Sequence, residues 1–283
     1  MKNRVAAALV AAFAACLVTA LCGCTQAYDP NASMKDPTIE ASALQNPGTL
    51  RVGVDASSYP FAGQSNGRMS GLDVDIAAAL AQEMGLKVEY VDVGVDGLEA
   101  LSGGDVDVVM GVEPSEADGA CWTSDSYAPA CIAMFSMKEG AKVPKKSKNP
   151  VIAAQTSSLS AWLVTRQYGN SALEADDELK TVFQDLDAGS VKYAAADAVV
   201  GSYVMNSLGI GGHIIGLMQQ PDGYCVATAS ENTPLQLGIT QALSTISGNG
   251  VLDVINTKWT GGTVDISAAA LTESAQAEAD KND

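Results

Sequence analysis

The sequence predicts an α/β fold in which helices cover a parallel sheet. Two observations carry this prediction: strand and helix patterns alternate after Gly48, and a second unit of the same kind follows Asn149. Such alternation is typical of parallel strands joined by right-handed crossovers. Roughly 230 residues remain for the folded part, which is enough for one large or two modest domains.

Before the folded part, residues 1–23 have the pattern of an export signal. Lys2 and Arg4 precede the apolar run VAAALVAAFAACLVTAL, whose length does not suit a spanning helix with anchors on both sides. The LCGC that closes the run resembles a bacterial lipobox, in which the signal is cut before the last Cys and that thiol carries lipid. We therefore expect a lipoprotein signal peptide and lipidation of Cys24. Polar, Pro-bearing residues 24–47 predict a flexible tether.

The first α/β unit begins with the strand pattern GTLRVGVDA, which alternates apolar and polar residues and stops at SSYPF. An Ala-rich helix pattern, LDVDIAAALAQEM, follows and ends at Gly85 before a second strand, LKVEYVDV. A short helix, DGLEALSGG, then leads to a third strand, DVDVVMGV. This order predicts a parallel sheet.

The second unit starts with the strand NPVIAAQ, a cap at Thr156 or Ser157 and the helix SLSAWLVTRQYG. We then expect KTVFQ as a strand, a helix that ends in KYAAA, and DAVVGSYVM as a further strand. Beyond GGHIIGLMQQPDG come the strand YCVATA and the helices TPLQLGITQALSTISGNG and VLDVINTKWTG. Residues 262–283 show no hydrophobic stripe, which predicts a disordered acidic tail.

The composition excludes several functions. The chain has 33 acidic and 16 basic residues and a formal net charge of −17, which argues against a nucleic-acid partner because phosphates favour Lys and Arg. No C-x-x-C pair or His cluster indicates a metal site, and no cofactor is expected. Cys121, Cys131 and Cys225 remain in the folded part, and an exported location permits one disulfide among them.

Six segments support a more specific assignment: GTLRVGVDASSYPF, GRMSGLDVDIAAALAQEMGLKVEYV, LEALSGGDVDVVMG, WTSDSY, DAVVGSYV and ALSTISGNGVLDVINTKWTG. Their order resembles the bacterial extracellular solute-binding proteins of the polar amino-acid type, which serve ABC importers. The resemblance runs from Gly48 to Gly261. It implies a two-lobed, periplasmic-binding-protein-like fold of type II, with mixed sheets flanked by helices.

The resemblance also implies two hinge strands, CIAMFSM and GYCVATA, between the lobes. Lobe 1 would comprise residues 48–136 plus 223–261, and lobe 2 would comprise residues 137–222. Closure of the lobes on a ligand would make the shape that the permease recognises. Cys131 and Cys225 would lie on neighbouring hinge strands and are the implied disulfide. The alternative is three free, largely buried thiols.

Candidate ligand residues follow from the same resemblance. Phe61 and Trp122 have an alternative role in core packing, and Thr156 and Ser157 have one as plain helix caps. Otherwise, main-chain donors at that helix start would face the ligand. The ligand-binding candidates are Ser58, Tyr59, Phe61, Gly111, Glu113, Glu116, Trp122, Thr156, Ser157 and Ser202.

Both anchors of an α-amino acid are missing from the positions that the resemblance assigns to them. The Arg that clamps the carboxylate corresponds to Glu116 or, with a different gap, to Asp118 or Gly119, and no basic residue occurs between Lys87 and Lys138. The Asp that takes the ammonium group corresponds to Ser202. Losing one partner of a buried charge pair costs roughly 2–5 kcal/mol, whereas a micromolar complex has about 8 kcal/mol in total. We therefore expect a neutral or cationic solute near Glu113 and Glu116, unless both acids are simply solvated.

Other functions stay open at this point. GQSNG at residues 63–67 matches the nucleophile pattern G-x-S-x-G, but it lies in a turn-rich region, and the only His is His213. We expect no enzyme, with a dehydratase-like activity on the same fold as a minor alternative. A lipoprotein sensor that presents its ligand to a membrane receptor would share every feature above. If an amino acid did bind, Arg68 or Arg166 would have to replace the missing clamp.

The expected partners are a small-molecule solute, an ABC permease and, through the lipid anchor, the cell membrane. The chain would then be a monomer outside the cytoplasm. The segment KVPKKSK, Lys142–Lys148, is expected to be a solvated loop, with a permease contact as the alternative.

The lipobox interpretation leads to a first test. Cys24→Ala removes the thiol that would carry lipid, so the variant should move from the membrane fraction to the soluble fraction in a fractionation of expressing cells. Cys22→Ala, which leaves the last Cys of the motif in place, is the control. Retention of the Cys24→Ala variant on membranes to the same extent as the parent would exclude lipid anchoring at this position.

Overall fold

The computed structural model describes residues 35–282. These residues belong to one compact unit that begins at Lys35. The predicted signal peptide, residues 1–23, and the lipidation site, Cys24, lie outside the described residues, as does the first part of the tether. Among the helices of residues 35–282, none has the length and apolar character needed to cross a membrane.

The regular elements of this part of the chain follow a largely alternating order. Strands are β1 (Thr49–Val54), β2 (Gly63–Ser65), β3 (Arg68–Ser70), β4 (Lys87–Asp92), β5 (Val108–Val112), β6 (Trp122–Thr123), β7 (Ala128–Ala130), β8 (Ile132–Ser136), β9 (Ile152–Gln155), β10 (Leu173–Asp176), β11 (Tyr193–Asp197), β12 (His213–Leu217) and β13 (Asp222–Thr228). Helices are α1 (Leu72–Glu83), α2 (Gly97–Gly103), α3 (Pro114–Ala117), α4 (Leu159–Tyr168), α5 (Leu179–Ala188), α6 (Ala198–Leu208), α7 (Thr233–Gly248), α8 (Val251–Thr260) and α9 (Glu273–Asn282).

Two sheets of mixed direction form the framework. The first has the strand order β4-β1-β5-β13-β6, with β7 paired to β13 beside it. In this sheet β1 is parallel to β4 and β5, whereas β13 is antiparallel to β5, β6 and β7. The second has the order β10-β9-β11-β8-β12, with β9 parallel to β10 and β11 and β8 antiparallel to β11 and β12. The predicted fold class, mixed sheets flanked by helices, is confirmed.

Burial explains why the first unit folds as its pattern predicts. Leu50 and Val52 of β1 are buried on the same side of the strand, because strand side chains alternate between faces. Ile76 and Leu80 of α1 are buried one helical turn apart. All four belong to one hydrophobic core. The apolar residues that recur at strand spacing in β1 and at helix spacing in α1 are therefore buried in the same core.

The second unit differs from the prediction in three elements. KTVFQ lies inside α5, where Val182, Phe183 and Leu186 are buried. Its β-branched and aromatic residues favour a strand, but the one- and four-residue spacings of the buried side chains fit a helix face. The strand is instead β11, with the sequence YAAAD, and the residues predicted to form the next strand form helix α6. All three predictions for this region are wrong because local propensity misplaced the helix.

The chain changes sheets in two places. It leaves the first sheet after β7 and enters the second with β8, so that Cys131 is the connecting residue. It returns between Leu217, which ends β12, and Asp222, which begins β13. The expected boundary after residue 136 assigned β8 to the first lobe, but β8 pairs only within the second sheet. CIAMFSM is therefore mostly an interior strand of the second sheet.

The implied disulfide between Cys131 and Cys225 is not formed, and the three cysteines within residues 35–282 are all free. β7 pairs with β13 so that Ala128 lies opposite Tyr224. The same register places Cys225 opposite Tyr127, four residues away from Cys131. Four strand residues span about 13 Å, whereas bridged Cα atoms lie within about 7 Å of each other. The disulfide prediction is therefore wrong, and the alternative of three free thiols describes the structure.

The C-terminal residues are ordered where the sequence predicts disorder. Leu271 forms a parallel bridge with Leu217 at the end of β12, and α9 follows it. Ala275 and Ala279 are buried one helical turn apart. Because alanine contributes little apolar surface, this buried face leaves no hydrophobic stripe in the sequence. The prediction of disorder for residues 262–283 is wrong for α9.

A buried polar contact joins this C-terminal segment to α4. The hydroxyl of Thr272 donates to Gln167 Oε1 over 2.7 Å, and Gln167 Nε2 donates to the carbonyl of Met218 over 2.5 Å. Thr272 Oγ1 also accepts from the Ala275 amide over 3.3 Å at the start of α9. Both side chains are buried. The contact therefore fixes the segment after β12 against α4.

Thr272→Val tests the contribution of this contact. The substitution keeps the shape of the side chain but leaves Gln167 Oε1 buried without a donor, so the free energy of unfolding should fall by about 1–3 kcal/mol. Urea denaturation followed by far-UV circular dichroism measures the change. Thr240→Val, which removes an exposed hydroxyl from α7, is the matched control and should change it by less than about 0.5 kcal/mol. Equal effects of the two substitutions would contradict this role of Thr272.

Candidate functional site

A cavity of about 770 Å³ lies where the parallel strands of the first sheet end. The carboxyl ends of parallel strands are where α/β folds place their ligands, because the connecting loops diverge there. Tyr224 of the antiparallel strand β13 completes the wall. The lining residues are Asp55, Ser58, Phe61, Asp73, Val93, Gly94, Val95, Asp96, Gly97, Leu98, Glu99, Val109, Met110, Gly111, Val112, Glu116 and Tyr224.

This cavity is acidic. Five of its lining residues carry carboxylates, and none is Lys, Arg or His. A cleft that carries one sign of charge between low-dielectric walls attracts ions of the opposite sign. The five acids are Asp55, Asp73, Asp96, Glu99 and Glu116. The cavity is therefore suited to a positively charged ligand and opposes a carboxylate.

Asp55 follows the end of β1 and is kept ionised by its own loop. Its Oδ1 accepts from the hydroxyl of Ser57 over 2.6 Å and from the Ser57 amide over 2.9 Å. Its Oδ2 accepts from the hydroxyl of Ser58 over 2.5 Å. These hydrogen bonds, that of the Ser57 side chain first, lower the pKa of Asp55 below its ordinary value. Asp55 is thus a fixed negative charge at the cavity wall.

Asp73 at the start of α1 is the buried acid of the cavity. It is desolvated, which raises its pKa to about 7, and its Oδ1 accepts from the hydroxyl of Tyr127 over 2.7 Å, which acts in the opposite direction. Gly111 packs against it: a Cβ at this position would lie 3.2 Å from Asp73 Oδ2, and the backbone φ of +76° is one that only glycine adopts freely. Gly111 therefore allows β5 to approach Asp73.

A second group of acids lies where the two sheets meet. The hydroxyl of Tyr224 in β13 donates to Asp197 Oδ2 over 3.2 Å, so that a residue of the cavity wall touches the end of β11 in the second sheet. Burial raises the pKa of Asp197 to about 6. Burial also raises the pKa of Glu113, and the nearby charges of Glu116, Asp222 and Asp197 add to this effect. No basic residue contributes to either shift.

The structure brings four of the predicted ligand residues together. Ser58, Phe61, Gly111 and Glu116 all line the cavity. Glu113 lies beside it, near Glu116, without being one of the lining residues. Ser58 and Phe61 follow β1, Gly111 lies in β5, and Glu116 lies in the short helix α3 after it. The family resemblance therefore placed all four around this cavity.

Tyr59 and Trp122 have packing roles instead. The ring of Tyr59 packs edge-on against Tyr203 and Trp259, with centroids 5.3 and 5.8 Å apart, and Tyr59 is not one of the residues that line the cavity. Trp122 lies in β6 opposite Thr228 and packs against the main hydrophobic core. Core packing, the alternative role given for Trp122, therefore describes its position. Phe61 both packs on this core and lines the cavity.

Thr156 and Ser157 do not line this cavity and do not cap α4. The cap is Ser158, whose Oγ accepts from the Ala161 amide over 3.1 Å. The Thr156 amide donates to the Asp176 carbonyl over 2.7 Å, which continues the pairing of β9 with β10. The predicted cap was misplaced because three candidate hydroxyl residues are adjacent in the sequence.

Ser202 lies one turn inside α6 rather than at the end of a strand. Its hydroxyl donates to the carbonyl of Ala198 over 2.7 Å, and it lines a separate cavity of about 570 Å³. The acid at the end of the strand is Asp197, which accepts from the amides of Val199 and Val200. The prediction placed this strand too late in the sequence and therefore counted past Asp197 to Ser202. The signal that could have found it is the short apolar run YAAA that ends in an acid.

Neither Arg68 nor Arg166 replaces the missing clamp in this structure. Arg68 is exposed in the hairpin of β2 and β3, and Arg166 pairs with Glu278 and lies over the ring of Trp162 at 5.0 Å. The possible nucleophile Ser65 also lies in the hairpin, with no helix directly after it. Within residues 35–282, no group of three His, Cys, Asp or Glu side chains has an arrangement that could hold a metal ion.

Comparison with known proteins finds one matching family and several similar proteins. The profile of the family described as "Bacterial extracellular solute-binding proteins, family 3" matches residues 50–263. The chain is similar to a "Probable histidine-binding protein" of Neisseria gonorrhoeae, with 29% identity over 279 residues, which cover 92% of this chain and 96% of the relative. It is also similar to the "L-cystine-binding protein TcyJ" of Escherichia coli K12, with 25% identity over 77% of this chain and 84% of the relative.

A solved structure supports the same fold. The "Ancestral Cationic Amino Acid Solute Binding Protein" superposes with a TM-score of 0.62 and 26% identity. The match covers 75% of this chain and 96% of that chain. It thus extends over nearly the whole of the compared molecule.

Asp73→Asn tests the buried acid of the cavity. The folded-state pKa of about 7 lies above the ordinary value, so between pH 4 and 7 the folded state holds a proton that the unfolded state has released. The contribution of this proton to stability is present below about pH 4 and is lost as the pH rises towards 7. The substitution should therefore reduce the fall in unfolding free energy across this range. Urea denaturation at a series of pH values measures it.

Asp118→Asn is the matched control for this experiment, because Asp118 is exposed and its left-handed backbone suits Asn. The control should keep the pH dependence of the parent. The same pH dependence in Asp73→Asn and in the parent would show that Asp73 titrates normally.

Proposed function

Because the chain belongs to the bacterial extracellular solute-binding proteins, family 3, we propose that it is the substrate-binding protein of an ABC importer and captures a small cation that lacks a carboxylate. The ligand would bind between lobe 1, built on the first sheet, and lobe 2, built on the second. Closure of the lobes around it would produce the form that the permease accepts.

One observation carries the choice of ligand: the cavity wall has five carboxylates and no basic residue. A ligand carboxylate would enter this field without the charge-assisted, bidentate partner that Arg supplies. The cost of one unpaired buried charge is roughly 2–5 kcal/mol. That is a large fraction of the roughly 8 kcal/mol available in a micromolar complex.

The names of the relatives support the part of the proposal that concerns an ammonium group. Two of them are named for histidine and cystine, and the compared structure is named for cationic amino acids. All such molecules carry an ammonium group beside a carboxylate. This chain offers acids to an ammonium group, with Asp197 in the place expected of Ser202, but offers nothing basic to a carboxylate. The sequence predicted that both anchors are missing. We now propose that only the Arg is missing and that Asp197 takes the ammonium group.

The cavity geometry suggests how the ligand would be held. Glu116 is exposed at the mouth, where it would attract the cation, and Asp55 supplies a fixed charge at the wall. The ring of Phe61 offers an apolar or cation–π surface, worth about 0.5–2 kcal/mol with a bound cation. Tyr224 links this wall to Asp197 of the second sheet. A cation that lowers the repulsion between Glu113 and Asp197 would favour the closed arrangement of the lobes.

The remaining parts of the proposal concern the location and partners of the chain. We place it outside the cytoplasm as a monomer anchored through Cys24, on the basis of the signal and lipobox pattern. The permease is its membrane partner. Presentation of the same solute to a sensor receptor would use the same site, and a neighbouring sensor-kinase gene in place of permease genes would favour that role. We assign no catalytic residue.

Titration calorimetry of the folded segment tests the ligand class. A panel of a diamine, a quaternary amine, L-arginine and L-glutamate should rank the carboxylate-free cations first, with L-amino acids no better than about millimolar, where about 4 kcal/mol is available. Glu116→Gln and Asp197→Asn should each weaken the best cation about tenfold or more, the second without loss of the helix cap because Asn caps as well as Asp. Glu174→Gln, an exposed acid of β10, is the control with the same charge change.

Low-micromolar binding of L-glutamate or L-arginine would contradict the proposed ligand class. It would mean that a basic residue reaches the cavity in the closed form. Equal weakening by Glu174→Gln and Glu116→Gln would instead point to net charge rather than to the cavity, and would also overturn the assignment.

A further inference from the structure

Basic residues of this acidic chain are concentrated on one edge of the second sheet. Between Ser126 and Leu173 the sequence has five Lys, one Arg and a single acid, Glu139, although acids exceed bases about twofold in the whole chain. Four lysines, Lys145, Lys146, Lys148 and Lys192, form what we call the lysine patch. All four are exposed, and none takes part in an ion pair among the described residues.

Two residues of the lysine patch line a cavity of about 410 Å³. Lys148 and Lys192 line the cavity together with Pro144, Asn149, Pro150, Val151, Ser190, Val191 and Tyr193, and no acid is among them. Val151 is exposed over 45% of its surface. The patch is therefore amphipathic, with two ammonium groups beside an apolar floor and an accessible Tyr ring.

Its position separates it from the candidate ligand site. Tyr193 begins β11 and lines the patch cavity, whereas Asp197 ends the same strand beside the ligand site. The two lie about 13 Å apart along the strand, at opposite edges of the second sheet. Occupation of the patch would leave the ligand site open.

We propose that the lysine patch docks the protein on an anionic phospholipid surface. Clustered lysines beside a membrane are attracted by anionic headgroups, and exposed apolar and Tyr side chains favour the headgroup region. A free phosphate would engage only the two lysines of the cavity, whereas a lipid surface offers phosphates to all four.

The proposed lipid anchor would strengthen this docking. The eleven residue-to-residue steps from Cys24 to Lys35 span at most about 40 Å when fully extended, which would keep the lobes close to the membrane surface and raise the effective concentration of the patch. Only this reinforcing step rests on the proposed function. The contact itself requires neither the anchor nor the solute.

Vesicle sedimentation tests the docking without anchor or solute. Residues 25–283 contain the whole compact unit that begins at Lys35. They should bind vesicles with about 30 mol % phosphatidylglycerol in phosphatidylcholine, fail to bind pure phosphatidylcholine, and dissociate between about 0.05 and 0.5 M salt. Lys145→Gln, Lys146→Gln and Lys148→Gln together should weaken binding about tenfold or more.

The control removes the same charge elsewhere. Lys87→Gln, Lys180→Gln and Lys281→Gln together change exposed lysines of β4, α5 and α9 and should alter vesicle binding less than about twofold. Equal weakening by the two triple variants, or equal binding to both kinds of vesicle, would overturn the proposal. So would displacement by millimolar inorganic phosphate beyond the effect of salt at equal ionic strength, which would indicate a small-anion pocket. Tighter binding of an acidic peptide than of the vesicles would assign the patch to a protein partner and would also overturn it.

Discussion

The antiparallel return of β13 is the constraint on which the site depends. β13 pairs with β5 on one side and with β6 and β7 on the other, so it closes the first sheet after the chain has built the second. Thr228, which ends the strand, is buried and donates to the Asp107 carbonyl over 2.8 Å. Near the other end, Tyr224 both lines the cavity and reaches Asp197. One strand thus fixes the first sheet and joins its cavity wall to the second sheet.

Much of this arrangement could be predicted from the sequence, because most elements bury residues at a clear period. The alternation of Leu50 and Val52 predicted β1, and the helical spacing of Ile76 and Leu80 predicted α1. The errors have a common physical cause, which is that local propensity was weak or opposed to packing. β-branched and aromatic residues concealed α5, and small alanines concealed both β11 and α9. Misplacing β11 then misplaced its terminal acid, so that Ser202 was chosen instead of Asp197.

The site itself was less predictable than the fold. The family resemblance found Ser58, Gly111 and Glu116, but the loop after β4 contributes Asp96, and α2 contributes Glu99, without any motif. Their shared wall arises because β4 and β5 flank β1 in space, an order that the sequence does not state. The disulfide failed for a related reason, since membership of neighbouring strands does not determine register.

Two buried acids, Asp73 in the cavity and Asp197 beside it, lower stability near neutral pH for the same reason that they suit the proposed ligand. Burial raises the pKa of Asp73 and of Asp197, so ionising either of them near neutral pH opposes folding. No Lys or Arg at the cavity wall offsets that cost. The nearest ion pair on α1, the helix that carries Asp73, joins Asp75 to Lys258 of α8. A bound cation would supply the missing charge and would stabilise the ionised, closed form by mass action. The unpaired charge that weakens the empty protein is therefore also the source of its expected selectivity for a cation.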